Sequence, residues 1–512
     1  MLALKRKPFH GGIHPTGHKE LTANEATINS DEPQRVYLSL QQRNGVVLRS
    51  HVNVGDAIVK GQLIATGPND MCVPLHAPIN GVVDAIGPHV SAHPSGLKVN
   101  TLVIRGNGDP NWGIPHVPCD TSKLSAEEII QRVLDAGIVG LGGAGFPSGM
   151  KLRFARQKQV HTLLLNGGEC EPYLTCDDRL MRERAAEVAA GAALMVRAIG
   201  CSQGIIAIED NKPASIDAMR SAVSDRPQLS VQVVPSLYPM GSERHLIKAV
   251  TNQTVAPGQL STEIGILVHN VATAQAVYEA VRYQRPLIRR IMTVSGGALE
   301  QPANINVAMG TLVSEVIAKC GGLKMEAGRL IAGGPMMGQV LPSPFVPIDK
   351  SIGGILALSK DEIRAEQSHD CVRCGRCVNA CPMSLMPFQM AAHSRISDLD
   401  GARHFGLDHC LLCGACSYVC PSRIPLVQYF QHARSSLNAA RTMERKSAQA
   451  RQLTEARQAR LHREAEAKKA AKAAKAARKP RKRTARTSTR TQRNTSNSTA
   501  STDTSSNNTS SS

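Results

Sequence analysis

CVRCGRCVNACP (residues 371–382) and CLLCGACSYVCP (residues 410–421) repeat one cysteine spacing in the last third of the chain. In each run, three cysteines are separated by two residues, and a fourth follows three residues later, directly before a proline. Three thiolates at this spacing can surround one face of a compact metal centre, while the fourth is carried away from that face. The repeat therefore predicts metal ligation, since a disulfide framework is disfavoured in a reducing compartment.

The spacing C-x2-C-x2-C-x3-C-P is typical of bacterial proteins with two [4Fe–4S] clusters, in which the fourth cysteine of each run binds the other cluster. Gly375 and Gly414 would let the chain pass close to a cluster. Two zinc ribbons are the alternative, but they need neither the third CxxC step nor the Cys-Pro ending. The first predicted ligand set is Cys371, Cys374, Cys377 and Cys420, and the second is Cys381, Cys410, Cys413 and Cys416.

The length of 512 residues predicts three or four domains, and 42% hydrophobic with 20% charged residues is ordinary globular composition. The formal charge of +19 is concentrated in residues 441–512, which carry 19 Lys and Arg against 5 Asp and Glu. The other 440 residues carry only +5. Because only 15 residues are Phe, Trp or Tyr, few platforms exist for stacking bases. We therefore expect no nucleic-acid partner.

The chain has no run of 18 apolar residues, and its start lacks the apolar stretch of a signal peptide. These features predict a cytosolic protein that can lie against a membrane. From residue 441, Ala, Arg, Lys and Glu favour a solvated helix up to Pro480, and the Ser/Thr/Asn-rich remainder favours disorder. This basic tail is either a solubilising segment or an anchor to anionic membrane lipid.

The middle of the chain has the pattern of a doubly wound α/β domain. Ser125 and Glu128 form a capping box before an amphipathic helix. The helix leads into GLGGAGFPSGMK (140–151), whose glycines can direct N–H groups at an anion, with Lys151 adding charge. Three apolar segments read as parallel strands separated by helices at 177–200 and 213–225. The predicted strands are residues 161–166, 204–210 and 229–236.

Polar residues follow two of these strands at their carboxyl ends, where ligands bind in such sheets. Asn166, Glu169 and Glu171 follow the first strand. After the third strand, Gly241 and Ser242 open a helix with Glu243 in its first turn, an arrangement suited to a phosphate. The alternative is that the three glutamates are solvated charges at helix starts.

Three segments resemble a known family. GLGGAGFPSGMK (140–151), NGGECEPYLTCDDRLM (166–181) and VHNVATAQAV (268–277) resemble segments of the FMN- and NADH-binding subunit of respiratory complex I. With the cysteine repeat and the flanking modules, residues 8–430 resemble the C subunit of the Rnf-type, or Rsx, ion-translocating electron transport complex. Two positions depart from the complex I pattern: its ICGEET helix start is YPMGSERHL here, and its Trp after the loop lysine is Leu152.

This resemblance implies FMN in a Rossmann-like domain, NADH or NAD+ as substrate, and no catalytic acid, base or nucleophile. It implies a peripheral protein on the cytoplasmic side of the cell inner membrane, with integral-membrane and ferredoxin-like partner subunits. A non-catalytic iron–sulfur relay and a stand-alone oxidoreductase are the alternatives. Phe146 would stack on the nicotinamide ring. The implied pocket residues are Gly140, Gly142, Gly143, Gly145, Phe146, Lys151, Asn166, Glu169, Glu171, Gly241, Ser242, Glu243 and Asn270.

Two further modules flank the flavin domain in this interpretation, which makes the chain a multidomain α/β and α+β protein. Residues 42–86 resemble the barrel-sandwich fold of biotinyl and lipoyl carriers, but Asp70 occupies the position of the carrier lysine, which predicts a docking or structural role. Residues 286–342 resemble a β-grasp (SLBB-like) module. The expected domains are 1–120 (barrel sandwich), 121–285 (FMN/NADH), 286–345 (β-grasp), 360–432 (two-cluster ferredoxin) and 433–512 (basic tail).

The remaining chemistry-bearing residues are expected to be structural. His10, His14 and His18 have a helical spacing for metal, but Gly11, Gly12 and Pro15 interrupt any helix there. Met336 and Met337 are expected to pack. Six cysteines without ligand spacing are expected to pack as small hydrophobes, with Cys170 the one most worth testing because of its acidic surroundings. They are Cys72, Cys119, Cys170, Cys176, Cys201 and Cys320.

Overall fold

The computed structural model describes residues 8–42, 45–114, 117–363 and 367–477. The chain divides into two compact units, Met1–Leu437 and Asn438–Ser512. Among the described residues, no helix has both the length and the apolar character needed to span a bilayer. Short 3-10 helices occur at Lys19–Leu21, Thr121–Lys123, Ser261–Ile264 and Leu407–His409.

The N-terminal module is built from a four-stranded and a three-stranded antiparallel sheet, with orders β2-β8-β7-β4 and β3-β5-β6. Alternating residues such as Val36, Leu38, Leu102 and Ile104 are buried, as expected for strands with one face on a core. The strands of these two sheets are β2 (Arg35–Ser39), β3 (Arg49–Ser50), β4 (Ala57–Ile58), β5 (Leu63–Thr66), β6 (Leu75–His76), β7 (Gly81–Val90) and β8 (Lys98–Gly106), and the preceding strand β1 (Ile28–Asn29) pairs in a different sheet.

The loop between β5 and β6, where a carrier would hold its lysine, contacts the next domain. The guanidinium of Arg153 lies 2.8 Å from the carboxylate of Asp70 and 2.9 Å from that of Glu127. Arg153 belongs to the helix that follows the glycine-rich loop. Asp70 thus takes part in a contact between the N-terminal module and the α/β domain, and the predicted docking or structural role of the module stays a prediction.

The α/β domain has a parallel sheet of order β11-β10-β9-β12. The capping box of Ser125 and Glu128 forms at the start of α1. The single helix predicted at 177–200 is two helices, because the helix is interrupted at Arg184. The sheet also has a fourth strand, β12, which the apolar periodicity did not predict. The elements are α1 (Ala126–Asp135), α2 (Ser148–Gln157), β9 (Thr162–Gly167), α3 (Cys176–Glu183), α4 (Ala185–Ile199), β10 (Gln203–Glu209), α5 (Pro213–Ala222), β11 (Leu229–Val234), α6 (Glu243–Thr251), β12 (Ile266–Asn270) and α7 (Val271–Tyr283).

The β-grasp module has a six-stranded mixed sheet of order β1-β14-β13-β17-β15-β16. Two of these strands lie outside the predicted range 286–345: β1 comes from the N-terminal region and pairs in parallel with β14, and β17 pairs in parallel with β13. The helix α8 ends at Lys319, shortly before Gly321 and Gly322, both of which have positive φ. The elements are β13 (Arg289–Ser295), β14 (Ala303–Ala308), α8 (Val313–Lys319), β15 (Arg329–Ala332), β16 (Gln339–Val340) and β17 (Gly354–Leu358).

The cysteine-rich domain consists of short helices around a small core that includes Met390, Ala402, Leu407 and Phe430. In the second unit, every described residue from 438 to 477 is helical and exposed, as predicted for the tail. The predicted disorder of the tail's end lies outside the described residues. The helices are α9 (Arg376–Ala380), α10 (Pro387–Arg395), α11 (Leu399–His404), α12 (Ala415–Tyr418) and α13 (Leu426–Ala477).

Candidate functional site

The eight cysteines of the repeat line two separate cavities. One cavity, here called the inner cavity, is lined by Cys410, Cys413 and Cys416 of the second run together with Cys381 of the first. A second cavity, here called the outer cavity, is lined by Cys371, Cys374 and Cys377 of the first run together with Cys420 of the second. The structure thus brings the cysteines together in the two crossed sets predicted from the spacing.

Local backbone geometry explains this crossing. In each run, a short helix begins at a glycine in the left-handed region, Gly375 with φ 74° for α9 and Gly414 with φ 80° for α12. A side chain disfavours that conformation, so glycine is the residue suited to both positions. The fourth cysteine follows the helix, Cys381 after α9 and Cys420 after α12, and is therefore displaced from its own run.

The spacing of the cysteines distinguishes a cubane cluster from zinc. Zinc–sulfur bonds of about 2.3 Å place tetrahedral thiolates about 4 Å apart. In the described part of the chain, the group of three or more potential ligand atoms within 4.8 Å of one another is Glu169, Cys176 and Asp177, and it contains no cysteine of the repeat. The cysteines of the repeat are thus not among the described groups that are gathered as closely as a tetrahedral zinc site requires, and their crossed sets are the arrangement typical of a two-cluster iron–sulfur protein.

The two cavities differ in their exposure to solvent. Cys381, Cys413 and Cys416 of the inner cavity are buried, and burial raises the pKa of Cys413 to about 12. Such thiols release their protons when a cationic centre binds. Cys371 and Cys374 of the outer cavity are exposed. The inner site is therefore shielded from solvent, while one edge of the outer site faces it.

The inner cavity contacts the α/β domain through its cysteine-bearing loops. The hydroxyl of Tyr238 donates to the carbonyl oxygen of Cys413 over 2.6 Å. His245 Nε2 lies 3.1 Å from the carbonyl oxygen of Pro382, directly after Cys381. A Cβ added to Gly414 would lie 2.9 Å from the carbonyl oxygen of Met336 in the β-grasp module. The inner site therefore lies on the side of the domain that faces the predicted flavin pocket.

The predicted flavin pocket lies where the order of the parallel sheet reverses. β9 and β12 are neighbours, and Asn166 is in register with Asn270 at their carboxyl ends. The chain adds β10 and β11 on one side of β9 and later adds β12 on the other side. This reversal leaves a crevice at the carboxyl ends of β9 and β12, and ligands bind in such crevices of parallel sheets. A Cβ on Gly142 would lie 3.3 Å from that of Asn270, so the glycine loop covers this crevice.

The glycine loop closes on itself and keeps one side open. Gly140 N–H donates to the carbonyl oxygen of Phe146 over 2.9 Å, and Gly145 N–H donates to that of Gly140 over 3.1 Å. Gly143 has φ 98°, and a Cβ there would meet nothing within 4 Å. Phe146 is 37% exposed beside this open side. The loop leads directly into the N-terminus of α2, an end that favours anions.

Several predicted pocket residues make contacts within the protein. The carboxylate of Glu169 accepts hydrogen bonds from the N–H groups of Asp177 and Asp178 at the start of α3. Lys151 Nζ donates to the carbonyl oxygen of Val268 over 2.6 Å and lies 3.6 Å from the Glu243 carboxylate. Glu169 and Lys151 therefore shape the walls of the crevice in this structure, and their contacts with a ligand stay predictions.

The amides at the strand ends hold the surrounding loops. Asn166 donates to the carbonyl oxygen of Gly241 over 2.9 Å and accepts from Gly168 N–H. Asn270 accepts from Ala272 N–H as the N-cap of α7, and donates to the Asp177 carboxylate. The structure thus brings together the loops after β9, β11 and β12. Ser242 is the N-cap residue of α6, although its side chain makes no capping hydrogen bond.

Glu171 reaches away from the sheet towards the β-grasp module. One of its carboxylate oxygens accepts from Met336 N–H over 3.0 Å, and burial raises its pKa to about 7. At the end of β10, one carboxylate oxygen of Glu209 is buried without a hydrogen-bond partner among the described residues. Buried acceptors of this kind require donors. The hydroxyl-rich chain of FMN supplies such donors, so the residues present fit this group.

The sequence did not single out three residues of this region. Lys212 lies 3.0 Å from Glu209 in a buried ion pair at the end of β10, and a lysine three residues after a strand-end carboxylate was a signal for it. Lys19 donates to the carbonyl oxygens of Glu169 and Glu171 over 2.9 and 3.0 Å. Lys19 and Tyr238 had no local signal, because their partners are distant in the chain.

Most of the other candidate residues are structural groups, but the expectation that Met337 packs is wrong, since its side chain is 53% exposed. Cys170 accepts from Gly241 N–H over 3.3 Å, and burial raises its thiol pKa, so it stays neutral. His18 stacks on Tyr173 with ring centroids 4.6 Å apart. Met336 packs in the small cluster beside the inner cavity. The metal-ligand group of the described residues contains none of the three spaced histidines.

Four family models match the chain. They are the RnfC barrel sandwich hybrid domain over residues 7–109, the Nuo51 FMN-binding domain over 133–279, the SLBB domain over 291–340 and a 4Fe-4S dicluster domain over 370–424. The fold class predicted from the sequence is therefore confirmed, and the FMN-binding and dicluster models match the two domains described above.

Relatives match most of the chain. The C subunit of the ion-translocating oxidoreductase complex of Rhodobacter capsulatus is 48% identical over 432 residues, which are 84% of this chain and 83% of the relative. This chain belongs to that family. The family member of Serratia proteamaculans is 42% identical over 86% of this chain and 63% of its own length, and that of Haemophilus influenzae strain PittEE is 39% identical over 88% and 69%.

Membership of this C-subunit family confirms the resemblance found in the motifs. It also confirms the predicted role at the level of the family, an electron-transfer subunit of an ion-translocating oxidoreductase complex. A chain in a crystal structure of an NAD+-reducing [NiFe]-hydrogenase aligns with this chain at 19% sequence identity and a TM-score of 0.45. The alignment includes 62% of this chain and 63% of the hydrogenase chain. That likeness is too distant to bear on function.

Proposed function

We propose that this chain passes electrons between NADH or NAD+ and partner subunits of an ion-translocating redox complex. The observation that carries the proposal is the pair of crossed cysteine cavities, one of which contacts the α/β domain. Membership of the C-subunit family supports the assembly into a complex. The resemblance of the glycine loop and of the segment after β9 supports the nicotinamide substrate.

FMN would be held in the crevice between β9 and β12. The glycine loop and the N-terminus of α2 would receive its phosphate, and Asn166, Asn270 and the unpartnered Glu209 oxygen would face its polar atoms. The chemistry that bound FMN supplies is the conversion of a two-electron hydride into single electrons, which iron–sulfur clusters can carry. Phe146 borders the open side of the loop, where it would position a nicotinamide ring.

The cysteine sets would hold two [4Fe–4S] clusters in sequence. Cys381, Cys410, Cys413 and Cys416 would form the site next to the flavin, because Tyr238, His245 and Met336 connect their loops to the neighbouring domains. The set around the outer cavity would form the site from which electrons leave, because two of its ligands are exposed. The apolar lining of the inner cavity, which includes Met390 and Phe430, excludes water from the relay.

The partners of this relay would be integral-membrane and ferredoxin-like subunits, with the chain peripheral on the cytoplasmic side of the inner membrane. The described part of the tail, residues 438–477, carries 11 Lys and Arg against 4 Asp and Glu, all exposed. This charge supports contact with anionic lipid, at about 1 kcal/mol per basic residue near a membrane surface before screening. Removal of residues 441–512 should then reduce pelleting with phosphatidylglycerol vesicles, whereas unchanged pelleting would exclude this contact.

Anaerobic reconstitution tests the metal assignment. We expect about eight irons per chain and two [4Fe–4S] EPR signals. Cys420→Ser should impair the cluster of the first run, and Cys381→Ser that of the second run. Cys201→Ser, at a buried cysteine outside the repeat, is the matched control and should retain both clusters. Far fewer irons, or unaltered clusters in both ligand variants, would contradict the crossed assignment.

Addition of NADH to the reconstituted protein tests the substrate. We expect the flavin and cluster absorbance to bleach, because NADH would reach bound FMN from the open side of the glycine loop and the cysteine sets would hold the clusters that accept single electrons. Phe146→Ala should slow this bleaching while leaving the bound FMN and iron unchanged. An inert spectrum of fully loaded protein would favour an electron relay without dinucleotide binding.

A further inference from the structure

The loop after β9, residues 168–174 and here called the β9 loop, is held by a lysine from outside the α/β domain. Lys19 Nζ donates to the main-chain carbonyl oxygens of Glu169, Glu171 and Leu174, the first two at 2.9 and 3.0 Å. A lysine ammonium has three donors, so each of them meets an acceptor of this one loop. Lys19 therefore fixes the β9 loop at three points, from a segment 150 positions earlier in the chain.

The β9 loop needs such support because two of its residues have a strained backbone. Glu169 has φ 48° and Tyr173 has φ 67°, both in the left-handed region. Residues with a side chain rarely adopt this conformation, and it persists only where surrounding contacts determine it. Tyr173 N–H donates to the carbonyl oxygen of Gly17 over 2.7 Å, and its ring stacks on His18. Together with the bond from Lys19 to Glu169, these contacts stabilise both strained positions.

The partners of Lys19 favour its charged form. Burial lowers the pKa of Lys19, the carboxylate of Glu169 raises it, and the nearby ammonium of Lys212 lowers it. A neutral amine has only two N–H donors, so one of the three carbonyl oxygens would face a lone pair, and the geometry favours the ammonium. Lys212 holds the start of the same loop, since it donates to the carbonyl oxygen of Gly168 over 2.6 Å. Two cations therefore bind the β9 loop.

Lys19 is connected to the wall of the predicted flavin crevice through a chain of hydrogen bonds. The carboxylate of Glu169, whose carbonyl oxygen binds Lys19, accepts from Asp177 N–H over 2.7 Å. The Asp177 carboxylate accepts from the side-chain amide of Asn270 over 2.6 Å. Asn270 lies at the carboxyl end of β12, in register with Asn166. A shift of the β9 loop would therefore displace the amides that border the crevice.

We propose that Lys19 is a positioning residue for the flavin: it holds the β9 loop in the shape that receives FMN, and its charge favours the reduced flavin. This inference rests on the proposed function, since it requires FMN in the crevice between β9 and β12. A loop that is already ordered spares the ligand the cost of ordering it. FMN gains negative charge on reduction, and a fixed positive charge nearby stabilises the more negative form.

A lysine that only stabilises the fold is the alternative, and Lys60 provides a matched control for it. Lys60 is a buried lysine of the N-terminal module. Its Nζ lies 2.6 Å from the Glu32 carboxylate and donates to the carbonyl oxygen of Pro110 over 2.9 Å. These partners lie outside the β9 loop. Lys60→Met should therefore lower the urea midpoint, as Lys19→Met does, without an effect on the flavin.

The experiment uses the full chain with reconstituted clusters and, as probe, FMN. Quenching of flavin fluorescence gives the affinity for oxidised FMN, and an anaerobic redox titration gives the potential of the bound flavin. We expect Lys19→Met to bind oxidised FMN at least about tenfold more weakly than wild type. Reduced FMN should lose about a further tenfold in affinity, which corresponds to a potential lower by about 30 mV for two electrons.

Two further variants separate the charge from the loop contacts. Lys19→Arg keeps the charge and should keep the wild-type potential, whereas Lys19→Gln, an uncharged donor, should lower the potential as Lys19→Met does. If Lys19→Met does not unfold cooperatively in urea, Lys19→Gln decides the test. Failure of the wild type to bind FMN would contradict the proposed function, and this inference with it. With FMN bound by the wild type, an unchanged affinity and potential in the uncharged variants, or equal losses in Lys60→Met, would overturn the role of Lys19 alone.

Discussion

The hydroxyl of Tyr238 donates a hydrogen bond to the main-chain carbonyl oxygen of Cys413 over 2.6 Å. The main chain of Tyr238 also exchanges two hydrogen bonds of 2.9 Å with Ile13. Burial raises the pKa of this tyrosine, so it remains a protonated donor at any physiological pH. One residue therefore connects the N-terminal segment, the α/β domain and a predicted cluster ligand.

We expect Tyr238→Phe to keep the fold and to shift the reduction potential of the inner cluster. The hydroxyl dipole directs its positive end at the Cys413 peptide, which favours the more negative, reduced cluster. Loss of about 1 kcal/mol of this interaction corresponds to a potential lower by about 40 mV for one electron. A redox titration followed by EPR measures the shift. An unchanged potential would show that the hydrogen bond is only structural.

Gly11 tests how closely the N-terminal segment contacts the inner site. It has φ 70°, and a Cβ there would lie 2.6 Å from the carbonyl oxygen of Cys381. Gly11→Ala should lower the free energy of unfolding by about 1–3 kcal/mol through backbone strain. The clash of the new Cβ with the carbonyl oxygen of Cys381 should also cause loss of the inner cluster. Gly55→Ala is the control, because Gly55 has φ 94° but nothing within 4 Å of a Cβ. Equal iron content in both variants would exclude a specific effect on Cys381.

Glu171 should make stability depend on pH near neutrality. Burial raises its folded-state pKa to about 7 from the usual 4.5, so the folded protein keeps a proton that the unfolded chain releases between these values. This proton uptake contributes up to about 3 kcal/mol to the free energy of unfolding. The contribution is complete below pH 4.5 and is lost as the pH rises through about 7. In Glu171→Gln this loss should be absent.

The measurement is the urea midpoint of the apoprotein at several pH values from about 5 to 8. The wild-type midpoint should fall more steeply with pH than that of Glu171→Gln. Asp177, whose pKa burial also raises to about 7, titrates in the same window and is present in both proteins, so it does not affect the difference. Parallel curves would contradict the assignment to Glu171.

The buried pair of Lys212 and Glu209 should be sensitive to removal of one partner. Lys212 also donates to the carbonyl oxygen of Gly168 over 2.6 Å, so it connects β10 to the loop after β9. Lys212→Met leaves the Glu209 carboxylate buried without its cation. We expect this variant to lower the free energy of unfolding, measured with urea, by about 3–5 kcal/mol. The double variant Lys212→Met/Glu209→Leu should recover much of this loss. A single-variant cost below about 1 kcal/mol would contradict a buried charge pair.

Local patterns were sufficient to predict most of the architecture. The cysteine spacing predicted both crossed sets, because the short helices that displace Cys381 and Cys420 are determined by their own few residues. The buried strands at β9, β10 and β11 were equally evident as apolar runs. The fourth strand, β12, was not singled out, because its five residues end in His269 and Asn270 and give a weak apolar signal.

Contacts between distant segments could not be predicted in this way. Tyr238, Lys19 and the pairing of β1 with β14 depend on residues more than 100 positions away. The roles of Glu169 and Lys151 were also hidden, since the sequence shows a charge near a strand end but not the N–H group or carboxylate that it meets. A helix that looked continuous at 177–200 breaks at Arg184, where tertiary packing overrides helix propensity.

The N-terminal segment also has a consequence for biosynthesis. Gly12 N–H donates to the carbonyl oxygen of Ala380, 368 positions later, and Ile13 pairs with Tyr238. At translation rates of about 5–20 residues per second, Gly12 leaves the ribosome roughly 20–70 s before Ala380 is made. The hydrogen bond of Gly12 therefore forms only after the cysteine-rich domain has been synthesised, whereas Lys19 can reach Glu169 and Glu171 much earlier.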